Sequence, residues 1–216
     1  MKVELLDYMG DDLAVVNAAR VSFNKESDWD TSEDYPDLNE KDQRLIQYLA
    51  REGHYSPFGH CFASFRISAP IFVHRQLIKH EYLRCNEVSR RYVDNEPELF
   101  MPEIWRGKAD NKKQGSAGPL EYSKAVSMAV EDHYESCLKY YDYLLSSDVA
   151  PEQARMVLPL SMYTEWVWSG SLDAFANMCN LRLKEDTQEE TRTIAKLISD
   201  ELLTRYPYSW KALVNG

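Results

Sequence analysis

The sequence predicts a mixed α/β fold in a single domain, and three observations carry that expectation. Residues 61–68, CFASFRIS, alternate Cys61, Ala63, Phe65 and Ile67 with Phe62, Ser64, Arg66 and Ser68, the period of a strand with one buried face. Residues 120–146 place Val130, Tyr134, Cys137, Leu138, Tyr141, Leu144 and Leu145 at the spacing of a long amphipathic helix. Strand-like and helix-like segments interleave along all 216 residues, with no internal repeat and no linker long enough to divide the chain into separate domains.

Taken in order, MKVELLDY (1–8) mixes Val and Leu with charges and reads as a short or edge strand before Gly10. Residues 11–22 open on acids and repeat Leu13, Val16 and Ala19 at helical spacing. The acidic stretch 24–40 has almost no apolar pattern and is expected to be a mobile surface loop. Asn39 can cap a helix running to about Glu52, with Leu45, Ile46 and Leu49 inward, and Gly53 stops it. After the strand at 61–68, Pro70 suits a first helical turn and IFVHRQLIKH (71–80) continues as helix. A second polar loop occupies 106–119, ahead of the long helix. Pro151 begins a short helix through Arg155, YTEWVWS (163–169) is aromatic and β-branched like a strand, and 171–183 returns to helical spacing. Thr187 followed by Glu190 forms a capping box for a last helix to about Arg205, with Ile194, Leu197, Ile198 and Leu202 inward.

Composition narrows the function. There are 25 Lys and Arg against 35 Asp and Glu, a net charge of −10, which argues against tracking a nucleic-acid backbone. A hydrophobic content of 44% supports a real core and excludes global disorder. No stretch approaches the roughly 20 apolar residues of a membrane span, and an acidic pair stands where a signal peptide carries basic residues, so a cytoplasmic protein is expected. Cys61, Cys85, Cys137 and Cys179 are widely spaced, without a CxxC knuckle or a dense disulfide framework, so buried free thiols and no metal site are expected.

One segment inverts the acidic balance. Residues 72–91 hold Arg75, Lys79, Arg84, Arg90 and Arg91 against Glu81 and Glu87. Gln76, Lys79 and His80 stand at i, i+3 and i+4, on one face of the expected helix, so they can converge on one anionic ligand. On composition alone, a solvated basic helix accounts for the segment equally well.

The order of the groups adds a resemblance. Residues 53–92 resemble the flavin-dependent thymidylate synthases, whose signature is Arg-His-Arg, seven residues, then Ser. Lys79, His80 and Glu81 stand at the triplet and Ser89 at the serine. His54, Ser56, Pro57 and Phe58 match a histidine-Thr/Ser-Pro-Phe element, Arg75 and Gln76 an Arg-Gln pair, and Asn86, Glu87, Ser89, Arg91 and Tyr92 the second half of the motif. Residues 151–183 resemble the same family, with Glu152 and Arg155 ahead of Leu-Pro-Leu, then Asn177 and Arg182. The polar loops and the Lys-His-Glu triplet look most like members carried by bacteriophages, for which the compartment is the host cytoplasm.

The resemblance implies an α/β (α+β) domain spanning 1–216, with a central sheet flanked by long helices, working as a homotetramer. It implies reductive methylation of dUMP to dTMP, with methylenetetrahydrofolate as carbon donor, FAD as flavin cofactor and NADPH as reductant. By residue, it places Gln76, Lys79, Glu87, Ser89, Arg90, Arg91, Arg155 and Arg182 on dUMP, and Ser56, Lys79, His80, Glu81, Glu87, Ser171 and Asn177 on FAD. Arg182, facing the pyrimidine, and His54, near the flavin, are the catalytic candidates. Guanidinium forks suit a phosphate, and a fixed cation stabilises charge developing on a ring.

The chain departs from the family at Lys79, which loses the planar fork, at Glu81, which reverses charge, and at Ser171 and Asp173, where the family commonly has Asn and Arg. Glu81 is expected to turn away from the flavin and pair with Arg84, its i+3 neighbour if the helix continues. His60, His74 and His133 are assigned to structure, and Trp166 and Trp168 to the core or a subunit interface. Cys85, beside Arg84, is the one thiolate candidate, ranked below the flavin route. The alternatives are a related pyrimidine nucleotide C5-modifying enzyme, such as a hydroxymethylase, and a catalytically silent oligomer that binds nucleotide or flavin.

Overall fold

The computed structural model describes residues 1–32, 35–93, 95–110 and 115–214. Four strands, β1 (Lys2–Met9), β2 (Phe62–Pro70), β3 (Leu83–Glu87) and β4 (Tyr163–Ser171), form an antiparallel sheet in the order β1-β2-β4-β3. Among the described residues, eight α-helices accompany it: α1 (Asp12–Arg20), α2 (Glu40–Arg51), α3 (Ile71–Leu77), α4 (Ser123–Ser146), α5 (Pro151–Ala154), α6 (Leu172–Arg182), α7 (Glu189–Arg205) and α8 (Pro207–Val214). Among the described residues no helix is long and apolar enough to cross a membrane.

The sheet follows from its alternation. Ala63, Phe65, Ile67 and Ala69 of β2 are buried while Phe62 and Arg66 are exposed, and on β4 Thr164, Trp166, Trp168 and Gly170 are buried in step. Phe65 stands opposite Trp168 in register, and Phe175 of α6 meets both rings edge-on at 5.3 and 5.5 Å. Ile194, Ile198 and Leu202 of α7, then Tyr206 and Trp210, complete that core. Gly170 is fixed by a close approach, since a Cβ there would collide with Leu83 Cδ2 and lie 3.1 Å from the Tyr82 carbonyl oxygen.

Several expectations change. The helix expected over 71–80 ends at Leu77, so Lys79 and His80 sit in the connection to β3 rather than on a helix face with Gln76. Tyr82 takes a left-handed φ of 64° and β3 starts immediately after it. That strand escapes detection in the sequence because Leu83, Cys85 and Glu87 share a face on which only Leu83 is strongly apolar, and the charge pattern dominates the segment. With the helix ended, Glu81 and Arg84 lose the i+3 relationship on which their pairing depended.

Thr187 does not cap α7. Its hydroxyl donates to the Leu181 carbonyl at 3.2 Å, and Gln188 stands at the N-cap without a side-chain capping bond. Ala195 joins Ile194, Ile198 and Leu202 on the inner face, while Leu197 is exposed. Within 24–40, residues 33 and 34 lie outside the described ones, and the described residues make more defined contacts than the composition suggests. Asn17 bonds both Ser27 backbone groups, Asp30 and Asp37 form a bridge, Trp29 packs on the core and Leu38 is buried. Helix α8 is not expected from the sequence; Pro207 opens it, and the Asp12 carboxylate accepts from the Tyr208 and Ser209 N–H groups at 2.9 and 2.8 Å. The loop at 106–119 folds back on itself, with Arg106 bridged to Pro119 and paired to Glu189 and Glu190 at 3.0 and 2.6 Å; residues 111–114 lie outside the described ones.

Candidate active site

Antiparallel pairing sorts the candidate residues to the two ends of the sheet. Glu87 ends β3 opposite Trp166, at the end where β4 begins and β2 runs into α3. Immediately beyond, the Val88 N–H donates to the Glu165 carbonyl at 2.8 Å and turns Ser89, Arg90 and Arg91 over the sheet end. Arg155 reaches the same place from the 3-10 turn after α5. These segments, distant in sequence, border a cavity of about 980 Å³.

Four arginines face that cavity, Arg75, Arg90, Arg91 and Arg155, offset by glutamates that include Glu87 and Glu165. Such a lining suits a ligand with an anionic end and neutral hydrogen-bond donors elsewhere. Arg91 Nε donates to Ser89 Oγ at 3.2 Å, and its guanidinium lies 5.0 Å from the centre of the Tyr92 ring. Arg155 donates Nε–H to the Glu152 carbonyl at 3.2 Å rather than to the Glu152 carboxylate, leaving its terminal amines to the cavity. Arg90 is engaged with Asn95, donating to its carbonyl and to Oδ1, the latter at 3.1 Å.

A second group forms where the end of α6 meets the end of α3. Arg182 donates Nε–H to His80 Nε2 at 3.0 Å and Nη2–H to the Gln76 carbonyl at 2.9 Å. The imidazole is therefore the Nδ1–H tautomer. Burial, reinforced by the Arg182 charge, pushes the His80 pKa down to about 4. Gln76 spends its side-chain amide on Gln188 at 2.6 Å. Gln76, Lys79 and Arg182, expected on one ligand with Ser89 and Arg155, do not border the cavity in this chain; Lys79 is exposed.

The remaining candidates lie at the other end of the sheet. Ser171 closes β4 opposite Phe62 and precedes α6; His54 and Ser56 lie exposed in the loop before β2, His54 edge-on to Tyr48 at 5.9 Å. Asn177 is exposed on α6, as is Glu81 ahead of β3. Ser171 is five residues along β4 from the partner of Glu87, roughly 17 Å at strand spacing, so the two cannot touch one ring system within a single chain. Beside the same loop, the buried Oδ1 of Asp173 has no hydrogen-bond partner among the described residues.

Sequence reasoning does not single out Thr164 and assigns His74 to structure. Thr164 Oγ1 donates to Glu87 Oε1 at 2.8 Å, and His74 Nδ1 lies 3.7 Å from the same oxygen. Their signal is the parity of β3, which puts Cys85 and Glu87 on the face shared with Trp166 and α3. Cys85 is half-buried against His74, and burial with the nearby Glu87 charge pushes its thiol up to about 11, which disfavours a thiolate nucleophile.

Comparison with known proteins defines the class. Residues 4–208 match the family described as thymidylate synthase complementing protein. A flavin-dependent thymidylate synthase of Thermus thermophilus is 38% identical over 210 residues, 97% of this chain and 74% of the relative. The UMP/dUMP methylase PolB of Streptomyces cacaoi, solved with 5-Br dUMP, superposes with a TM-score of 0.84 at 30% identity, covering 99% of this chain and 94% of that one. The same enzyme solved with 5-Br UMP gives a TM-score of 0.85 at 28% identity, covering 99% and 93%. The chain belongs to the flavin-dependent thymidylate synthase family, and at the family level its function is the reductive methylation of dUMP to dTMP.

Proposed function

We propose that this chain binds dUMP with its phosphate in the 980 Å³ cavity and acts on it as part of a homotetramer that also holds FAD and a folate, with NADPH as reductant. The observation that carries the reading is the gathering of Ser89, Arg91 and Arg155 on one cavity with Glu87 at its rim. The guanidinium forks and the hydroxyl satisfy a phosphate dianion, and Glu87 takes a neutral donor of the nucleoside.

Arg182 stabilises negative charge on the pyrimidine. With two of its five N–H groups donated to His80 and Gln76, three remain for a ligand. FAD, when bound, would supply the hydride that completes the methyl group. The residues present suit it: His80 keeps Nδ1–H as a neutral donor, Lys79 offers an exposed ammonium, and Ser56, Ser171 and Asn177 present further polar groups. Glu81, exposed outside any helix, faces water in this chain. His54 stands in the same loop as Ser56.

The distance between Glu87 and Ser171 supports a site assembled from more than one subunit. So does α4, where Cys137 and Tyr141 are the buried residues and Tyr140 and Tyr143 stand exposed. The similarity to a UMP/dUMP methylase makes the ribonucleotide the second reading.

The test is an assay of purified protein with FAD, NADPH, methylenetetrahydrofolate and either dUMP or UMP, with product identified by mass. The reading expects dTMP from dUMP and a flavin-loaded tetramer by absorbance and light scattering. Product carrying a hydroxymethyl group, methylation of UMP alone, or a monomer without flavin affinity overturns it.

A further inference from the structure

The buried polar group behind the cavity has no part in the reading above. His74, on α3, is 5% exposed and lies between three partners. Its ring tilts over Trp166 with centres 4.6 Å apart, Nε2 is 3.4 Å from Cys85 Sγ, and Nδ1 is 3.7 Å from Glu87 Oε1. Thr164 Oγ1 holds that same oxygen at 2.8 Å. A buried imidazole among a thiol, an indole and a carboxylate is costly to retain unless its two nitrogens have defined work.

The protons along this row can be placed. Burial lowers the proton affinity of His74 and the Glu87 charge opposes it more weakly, so the ring is neutral and carries one N–H. The Cys85 thiol keeps its proton, because burial and Glu87 both disfavour the thiolate. The Glu87 carboxylate can only accept, so the hydrogen is favoured on Nδ1, facing it, and the Cys85 thiol then donates to Nε2. Oε1 then faces two donors, Thr164 Oγ1–H and His74 Nδ1–H, and Glu87 lines the cavity with its other oxygen unengaged by any described side chain.

We propose that His74 is a positioning residue for nucleotide recognition: Thr164 holds Oε1 of Glu87 by a hydrogen bond and the His74 Nδ1–H dipole faces the same oxygen from 3.7 Å, so that Oε2 is presented to the cavity as the acceptor for a hydroxyl or ring N–H of the nucleotide. The proposal rests on the nucleotide reading of the cavity. It assigns Cys85 the role of donor to the imidazole Nε2, and it explains why a carboxylate sits among arginines without pairing to one of them: its orientation is set from the core side, by α3 and β4.

The test compares the wild-type protein with His74→Asn, His74→Leu and Thr164→Val. The asparagine amide nitrogen falls near the place of Nδ1 and keeps the donor, leucine removes it, and valine removes the Thr164 hydroxyl at nearly constant shape. Titration calorimetry with dUMP is expected to show about tenfold weaker binding for His74→Leu and Thr164→Val, and a constant within about twofold of wild type for His74→Asn. FAD content is expected to stay unchanged in all four proteins. Nitrogen-15 spectra of the imidazole are expected to show the hydrogen on Nδ1.

If His74→Leu does not fold, Thr164→Val and His74→Asn carry the comparison. Wild-type affinity in Thr164→Val or in folded His74→Leu, equal weakening in His74→Asn and His74→Leu, or a hydrogen on Nε2 overturns the inference while leaving the nucleotide reading intact. Failure of the wild-type protein to bind dUMP overturns that reading itself.

Discussion

Arg182 donates its Nε–H to His80 Nε2 across 3.0 Å, a bond that exists only while the imidazole is neutral. Burial and the adjacent cation keep it so, with a folded pKa of about 4 against 6.5 for an unperturbed histidine. Between those values the unfolded chain binds the proton that the folded chain refuses, so stability rises with pH across the window. The contribution is fully present above 6.5 and is lost as pH falls towards 4. Thermal unfolding of the wild type should therefore show a fall in Tm from neutral pH to about pH 4.5 that is visibly smaller in His80→Asn. Identical slopes in the two proteins would mean that His80 titrates normally in the fold.

The same contact holds Arg182, which the proposed reading sets against the reacting pyrimidine. Arg182→Ala should lower methyl transfer to dUMP on the order of 10²–10³-fold, the loss expected when one preorganised charge donor is removed. Reduction of the flavin by NADPH, measured anaerobically from its absorbance, should change far less. Equal losses in both half-reactions would assign Arg182 a structural role.

Arg91 and Arg155 are both exposed on the cavity, so their removal costs little folding energy. Arg91→Ala and Arg155→Ala should each raise KM for dUMP about 10- to 100-fold, as for a charge-assisted hydrogen bond to phosphate, with Tm nearly unchanged. A change confined to kcat would place the phosphate elsewhere.

Gly170 tests the fold that holds the site. Gly170→Ala drives a methyl into Leu83 and against the Tyr82 carbonyl, separating β3 from β4 just where the chain turns out of its left-handed residue. Urea unfolding should register a loss of about 1–3 kcal/mol, the usual cost of overpacking. An unaltered midpoint would show that β3 shifts freely.

Much of this architecture is legible in the sequence because it rests on strong alternation or helical spacing. The strands β2 and β4 announce themselves through Phe65 and Ile67, Trp166 and Trp168, and α2 through its Asn39 cap. Strand β3 does not, because five residues carrying Arg84 and Glu87 have too little apolar contrast to separate a strand from a charged helix. Helix α8 is set by Asp12, nearly the whole chain away, and no local pattern reveals that cap. Motif spacing brings Ser89, Arg91 and Arg155 together without any geometry, yet it also groups Gln76, Lys79 and His80 on a helix that ends before Lys79 and His80 are reached. His74 reads as structural for want of a visible partner, and its partners come from strands whose register only the fold supplies.

A crystal structure of the protein with dUMP and FAD tests the central claim most directly. The account predicts the phosphate among Ser89, Arg91 and Arg155, the pyrimidine facing Arg182, and the flavin against His80, with residues of a second subunit completing the site. A phosphate bound away from that cavity, or a flavin that avoids His80, would contradict it.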